Sequence, residues 1–231
     1  KLIEAFCIHS ADAVFTVNES ISSWLSEKYH IPRPEILYNV PYRYKVRERK
    51  NLRKMFGISP EVKLLLYQGG MHPSRGVLTL IRILPRIRNA ALIIIGDEKQ
   101  YRELLKRHQG VVPENVHVIP FVSYQELPAY TAGADIGLFL LENACLNYFF
   151  SLPNKLFEYL SAGLPVIFSD FPEHRRIISK YDCGYLVDVR SDEDIISKID
   201  KLIRNREAYN RMSRNAGKVA RDIFNWEKEE K

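Results

Sequence analysis

Cysteine is scarce in this chain. Only Cys7, Cys145 and Cys183 occur in 231 residues, and no two form a CxxC pair. That excludes a disulfide framework and points to a reducing compartment. Long apolar runs are missing too. Stretches such as residues 90–95 fall far short of the roughly 20 residues that cross a bilayer, so no transmembrane helix is expected. Glycine (11) and proline (12) stay near average abundance, which excludes collagen-like and low-complexity chains. His9, His30, His108, His117 and His174 show no HExxH or HxH spacing, and no GxSxG elbow occurs. No metal site is expected. Lys1 is not a methionine and falls inside a helical pattern, so the sequence reads as a piece of a longer protein.

What is present is ordinary for a folded protein. Hydrophobic residues make 46% and charged residues 27%, enough for a normal core in one or two domains. The net charge of +6 favours an anionic partner: a nucleotide, a phospholipid surface or nucleic acid.

Short apolar runs alternate with amphipathic segments. Strands are expected at 13–17, 35–39, 63–68, 90–96, 116–121, 136–141, 165–169 and 185–189. Several, such as LLLY, ALIIIG and DIGLFLL, are apolar nearly throughout, as in parallel strands buried on both faces. Helices are expected at 20–29, 52–56, 77–87, 99–108, 124–131, 154–161, 173–180 and 193–203. The tail beyond is helical, with interruptions near Asn205 and Gly217. The alternation predicts an α/β fold with a Rossmann-like, doubly wound parallel sheet. The polar, basic stretch from Asn39 to Lys50 marks a boundary, and the short βαβ piece before it is too small to bury a core alone.

Two segments stand out chemically. In YQGGMHPSRG, residues 67–76, Gly69 and Gly70 allow close backbone approach after a strand, and Arg75 offers a fork that fits phosphate. The helix that follows presents free N–H groups. The same pattern also suits a plain strand-to-helix turn with a surface arginine. In SLPNKLFEYLSAGLPV, residues 151–166, Asn154, Lys155 and Glu158 gather at the start of one helix. Lys155 is suited to phosphate and Glu158 to a sugar diol, or the two form a solvated first-turn pair. His72 reads as a solvated loop histidine. The basic run from Arg43 to Lys54 lacks the pattern of an RNA-recognition motif and reads as a solvated linker or a contact for anionic lipid, so nucleic acid is not expected as a partner.

Read together, these blocks resemble glycosyltransferase family 4, within the group 1 glycosyltransferases of GT-B fold. The resemblance rests on YQGGMHPSRGVLTLI, ALIIIGD, ELPAYTAGADIGLFLL, SLPNKLFEYLSAGLPVIFSD with FPEHRRII, and GYLVD, in the family's order over about residues 60–230. HSADAVFTVNESISSWL resembles the end of that fold's N-terminal domain, and FNWEKEE its final crossover helix. The resemblance implies a remnant of the acceptor domain at 1–42, a nucleotide-sugar-binding domain at 43–215 and a crossover helix at 216–231. It implies donor binding by Gly69, Gly70, Arg75, Asn154, Lys155, Leu156 and Glu158, with Arg75 and Lys155 catalytic. The family's usual arginine and lysine after the first strand fall on Gly70 and Arg75. Its two glutamates, eight positions apart, fall on Phe150 and Glu158.

The implied activity is that of a retaining hexosyltransferase, moving sugar from a UDP-, GDP- or ADP-linked donor to a glycan or lipid-linked acceptor in cell-surface glycan biosynthesis. No cofactor beyond the donor and no metal is implied. A cytoplasmic place is implied, with peripheral contact at the inner face of the membrane. Two other readings stand beside it: a nucleotide-sugar epimerase of the same fold, and a non-catalytic nucleotide-binding subunit, which Gly70 and Phe150 support.

Overall fold

The computed structural model describes residues 2–43, 48–106 and 112–231. The apolar runs become strands β1 (Phe15–Thr16), β2 (Glu35–Ile36), β3 (Lys63–Gln68), β4 (Ala90–Gly96), β5 (Val116–Pro120), β6 (Ile136–Phe139), β7 (Val166–Ser169) and β8 (Gly184–Val187). The last six form one sheet in the order β5-β4-β3-β6-β7-β8, and every neighbouring pair is parallel. Helices cover both faces, which is why β4 is buried at every position and reads as uninterrupted AALIIIG. β1 and β2 pair in parallel apart from this sheet, with the helix Glu19–Tyr29 between them in sequence.

The strand order sets the position of the site. From β3 the chain steps outward through β4 and β5, then returns to the other side of β3 as β6 and continues to β8. The loops leaving β3 and β6 therefore diverge from adjacent strands. In open α/β sheets, this switch point is where a crevice opens and ligands bind. Gly137 in β6 makes the close packing below it possible, because a Cβ there would lie 2.4 Å from the Tyr159 ring.

Several boundaries differ from the sequence expectation. The helix expected at 77–87 ends as Val77–Ile83 and tightens into a 3-10 turn, Leu84–Arg86, which contains Pro85. Proline lacks the N–H that the α-helix needs. The helix expected at 124–131 begins only at Leu127. That expected at 99–108 runs Glu98–Leu105, and residues 107 and 108 lie outside the described residues. Residues 44–47 of the basic run do too.

The interruption near Asn205 is present, where the side chain caps the next helix by accepting from Ala208 N–H at 2.9 Å. The interruption expected at Gly217 is not. Arg206–Asp222 is one helix, so residue 216 lies inside it. A Cβ on Gly217 would make only ordinary contact with Gly163 Cα, at 3.9 Å. The chain turns only after Asp222 and forms the short helix Trp226–Glu229 beside the linker. Trp226 N–H donates to Pro41 carbonyl (3.0 Å), and Tyr38 N–H donates to Glu229 (2.8 Å).

The N-terminal piece is tied to the body by polar contacts. Asn18 Nδ2 donates to Phe150 carbonyl at 2.8 Å. Ser20 donates to Glu173 through its N–H (2.9 Å) and its hydroxyl (2.6 Å).

Candidate functional site

The two segments singled out in the sequence meet at the switch point. β3 ends at Gln68, and Gly69 takes φ 112, a left-handed conformation. A Cβ on Gly69 would stand 3.1 Å from Lys155 Nζ, so the glycine lets the loop close over the lysine. Gly76 also has positive φ (77), and its Cβ would meet Leu140 Cβ at 2.4 Å. That glycine brings the loop from β3 against the chain leaving β6. Glu142 N–H then donates to Ser74 carbonyl at 2.9 Å and joins the two loops. Arg75, half-buried between them, reaches Gly70 carbonyl through Nη1 at 3.4 Å, beside the Tyr67 hydroxyl, which donates to the same oxygen at 2.6 Å.

The helix Asn154–Ser161 supplies the other wall. Pro153 stands at its N-cap and no side chain caps its first turn. Lys155 points inward. Its ammonium is buried without a hydrogen-bond partner, 4.0 Å from the centroid of the Phe139 ring and 4.8 Å from that of Tyr67. Burial, helped by the nearby charge of Arg75, pulls its pKa down to about 7, against the opposing pull of Glu158. Glu158 lies one turn on and accepts from Gln68 Nε2. Burial raises its pKa, while the Gln68 hydrogen bond and Lys155 pull it back. Arg75 Nε is likewise buried without a partner. Two unpartnered cationic nitrogens at one crevice form an anion site in waiting.

The sequence-derived residues fare unequally. Gly69, Gly70, Arg75, Lys155 and Glu158 come together. The alternative of a solvated Lys–Glu pair does not survive the burial of the ammonium. Asn154 sits at the rim, exposed, with Oδ1 accepting from Asn39 Nδ2 at 3.0 Å. Leu156 is fully buried in the core, and its N–H donates to Pro153 carbonyl at 2.9 Å. His72 caps the short turn Pro73–Arg75, its Nδ1 accepting from Ser74 N–H.

Phe150 packs on Phe149, with ring centroids 5.4 Å apart, and gives its carbonyl to Asn18. Among its polar neighbours, Ser151 directs its hydroxyl to Tyr148 carbonyl (2.8 Å), and Asn147 is exposed. Sequence reasoning missed Gln68, Thr131 and the Tyr67–Phe139 rings around Lys155. The one visible signal was an amide ending the apolar strand KLLLYQ.

Cavities flank the crevice on either side. One of about 690 Å³ lies over the ends of β6, β7 and β8, lined by Glu142, Phe149, Ser169, Asp170, Asp188 and Arg190 among others. Another, of about 350 Å³, lies beyond β3 and is lined by Met71, His72, Gln100 and Glu103 among others. Among the described residues, no cluster of three His, Cys, Asp or Glu side chains is placed to hold a metal ion. Among them, too, no helix is long and apolar enough to cross a membrane.

Residues 48–219 match the family described as glycosyl transferases group 1. The chain belongs to that family. An uncharacterized glycosyltransferase of Methanocaldococcus jannaschii is 23% identical over 238 residues, covering 97% of this chain and 59% of that protein. Among solved structures, sucrose-phosphate synthase from Thermosynechococcus elongatus superposes with a TM-score of 0.81 at 15% identity, covering 99% of this chain and 58% of that one. Anabaena HepE, solved in complex with UDP and glucose, gives a TM-score of 0.74 at 16% identity, covering 95% and 61%. These likenesses confirm the parallel α/β architecture of the GT-B neighbours. The chain spans about half the length of the curated relatives it matches.

Proposed function

We propose that this chain carries the donor-binding half of a retaining glycosyltransferase of family 4, in which a nucleotide sugar lies across the β3–β6 crevice. The observation that carries this reading is the pair of buried, unpartnered cationic nitrogens, Arg75 Nε and Lys155 Nζ, the second on the first turn of the helix Asn154–Ser161, which no side chain caps. A diphosphate supplies the acceptors that these donors lack. Glu158 accepts from the ribose hydroxyls. HepE, a fold neighbour, was solved with UDP and glucose, which supports a nucleotide-sugar ligand.

The chemistry follows from the charges. As the bond from the sugar's anomeric carbon to the diphosphate breaks, negative charge grows on the leaving group and the sugar becomes oxocarbenium-like. Preorganised cations in a water-poor crevice stabilise that charge. Here they come from Arg75 and Lys155, with no metal in this scheme. A hydroxyl of a glycan or lipid-linked acceptor then bonds the anomeric carbon on the same face, and its proton passes to the departing diphosphate oxygen. On this reading, residues 43–215 bind the donor, 1–42 belong to the acceptor domain, and the short helix Trp226–Glu229 forms the crossover. The work is cell-surface glycan assembly at the cytoplasmic face of a membrane.

A second reading, a nucleotide-binding subunit without catalysis, draws on Gly70 and Phe150, which cannot make the side-chain polar contacts of the family's arginine and glutamate. A thermal-shift titration with UDP, GDP, ADP and CMP tests the site, with Arg75→Ala and Glu158→Gln run beside it. One nucleotide at about 100 times its Kd should stabilise wild type by about 2.7 kcal/mol and both variants by clearly less at the same concentration. A shift unaltered in both variants overturns the placement. Binding with no transfer or donor hydrolysis in the longest available form of the protein favours the second reading.

A further inference from the structure

The end of β3 holds one polar side chain in an apolar strand. Gln68 is only 2% exposed, so both ends of its amide need partners. It has them: Nε2 donates to Glu158 Oε2, and Oε1 accepts from the Thr131 hydroxyl at 2.9 Å. Its backbone is fixed as well, with N–H donating to the Tyr159 hydroxyl at 3.1 Å. Thr131 is fully buried at the end of the helix Leu127–Thr131, and Leu127 carbonyl also lies 2.9 Å from its oxygen.

The three groups constrain one another. An ionised carboxylate only accepts, so the amide must turn its NH2 toward Glu158. Its oxygen then needs a donor, and Thr131 has the one proton available. Turned the other way, the amide would set its oxygen against the carboxylate oxygen and its NH2 against the hydroxyl. Beside this network, a cavity of about 30 Å³ is lined by Thr131, Glu158, Tyr124 and three further residues. It has room for about one water and none for a sugar. Buried polar networks are seldom the most stabilising filling of a core, and apolar side chains of similar volume often fold as well or better. A network spanning a strand and two helices therefore calls for a task, and Glu158 is the side chain that links it to the crevice.

We propose that Gln68, oriented by Thr131, is a positioning residue that aims the carboxylate of Glu158 at the ribose hydroxyls of the nucleotide. This rests on the reading that Glu158 is the ribose acceptor. The function assigned to Gln68 is selection of ribonucleotide over deoxynucleotide donors through a side chain that never touches the ligand.

The test is calorimetric binding of UDP, GDP and ADP, each against its 2′,3′-dideoxy analogue, with the preferred base then carried through the variants. Wild type should favour the ribose form by about tenfold, the worth of one hydrogen bond to a charged group. Gln68→Met and Thr131→Val should bring that ratio toward unity, and Thr131→Ser should restore it. A purely structural role would weaken both forms alike and leave the ratio untouched, so wild-type ratios in Gln68→Met and Thr131→Val overturn the inference. If Gln68→Met fails to fold, Thr131→Val, nearly isosteric, decides alone. Glu158→Gln separates the two levels. A ratio lost in Glu158→Gln but kept in Gln68→Met sinks the positioning role and spares the ribose assignment. A ratio kept in Glu158→Gln, no preference in wild type, or no binding of any nucleotide overturns both.

Discussion

Two cations face the crevice, and the protein holds them in opposite ways. Arg75 rides on a loop, half-buried, with Nη1 resting on Gly70 carbonyl. Lys155 rides on a helix, its ammonium sealed between two aromatic rings and bonded to nothing. The loop cation has a protein partner. The helix cation has only ring faces, which attract it by far less than water would hydrate it. The contrast separates a charge that costs the fold little from one that strains it, although both serve the same anion in the proposed reaction.

The largest effect expected is on turnover, where the two should look alike. Arg75→Ala and Lys155→Met should each lower kcat at saturating donor by about 10²–10³-fold, the usual loss for one preorganised donor. Steady-state assay checks this, and unchanged turnover in either variant removes that residue from the chemistry. Thermal melts at pH 6 should then split the pair. Lys155→Met replaces an unsatisfied buried charge by an apolar chain of similar length and should stabilise by about 1–4 kcal/mol. Arg75→Ala should bring no gain. Equal melting behaviour would erase the contrast drawn here.

Proton linkage sharpens the contrast further. Burial brings the Lys155 pKa down to about 7 in the folded chain, against 10.5 for an ordinary lysine, so between those limits the unfolded state binds more protons. Stability should therefore rise with pH across that window. Lys155→Met should lose this component of the slope. Arg75→Ala should keep it with its lower limit moved upward, because the charge of Arg75 is one of the forces holding the lysine down. Urea unfolding at fixed pH steps from 6.5 to 10 reads both, and an identical slope in Lys155→Met refutes the buried-ammonium account.

The same contrast explains what could be read before any coordinates. The sheet was legible because parallel strands covered on both faces are apolar at successive positions, and LLLY, ALIIIG and DIGLFLL carry that pattern openly. Arg75 was legible as a candidate phosphate ligand or as the surface arginine of a plain turn, because glycines and a basic residue lie within ten positions of sequence. Lys155 was legible only as one of two alternatives, since spacing on a helix cannot say whether the face is wet. The rings that bury it, Tyr67 and Phe139, come from β3 and β6, distant in sequence and joined only by the sheet order. Thr131 was invisible for the same reason, and Gln68 showed only as an amide ending an apolar strand. Gly217 misled because a glycine inside a helical pattern reads as a stop, whereas the helix Arg206–Asp222 runs through it. The family resemblance implied Leu156 as part of the site, but a helix presents only one face to a crevice, and the Leu156 side chain lies on the core side.

The smallest effect expected is also the most specific to the way Lys155 is held. A diphosphate bound beside the ammonium favours its charged form, so binding above pH 7 must take up a proton. Nucleotide affinity should fall as pH rises from about 7 toward 9, by at most tenfold per unit, the limit for one linked proton. The nucleotide's own phosphate titrates as well, but it does so identically with every variant. The difference between wild type and Lys155→Met, measured calorimetrically in two buffers of different ionisation enthalpy, isolates the lysine. Wild type should take up a proton that Lys155→Met does not, and Arg75→Ala should take up less at pH 8, because its lysine is already more fully charged before the ligand arrives. Equal proton uptake in all three would mean that the ammonium stays in its aromatic cage when nucleotide binds, leaving Arg75 and the helix N-terminus to hold the anion.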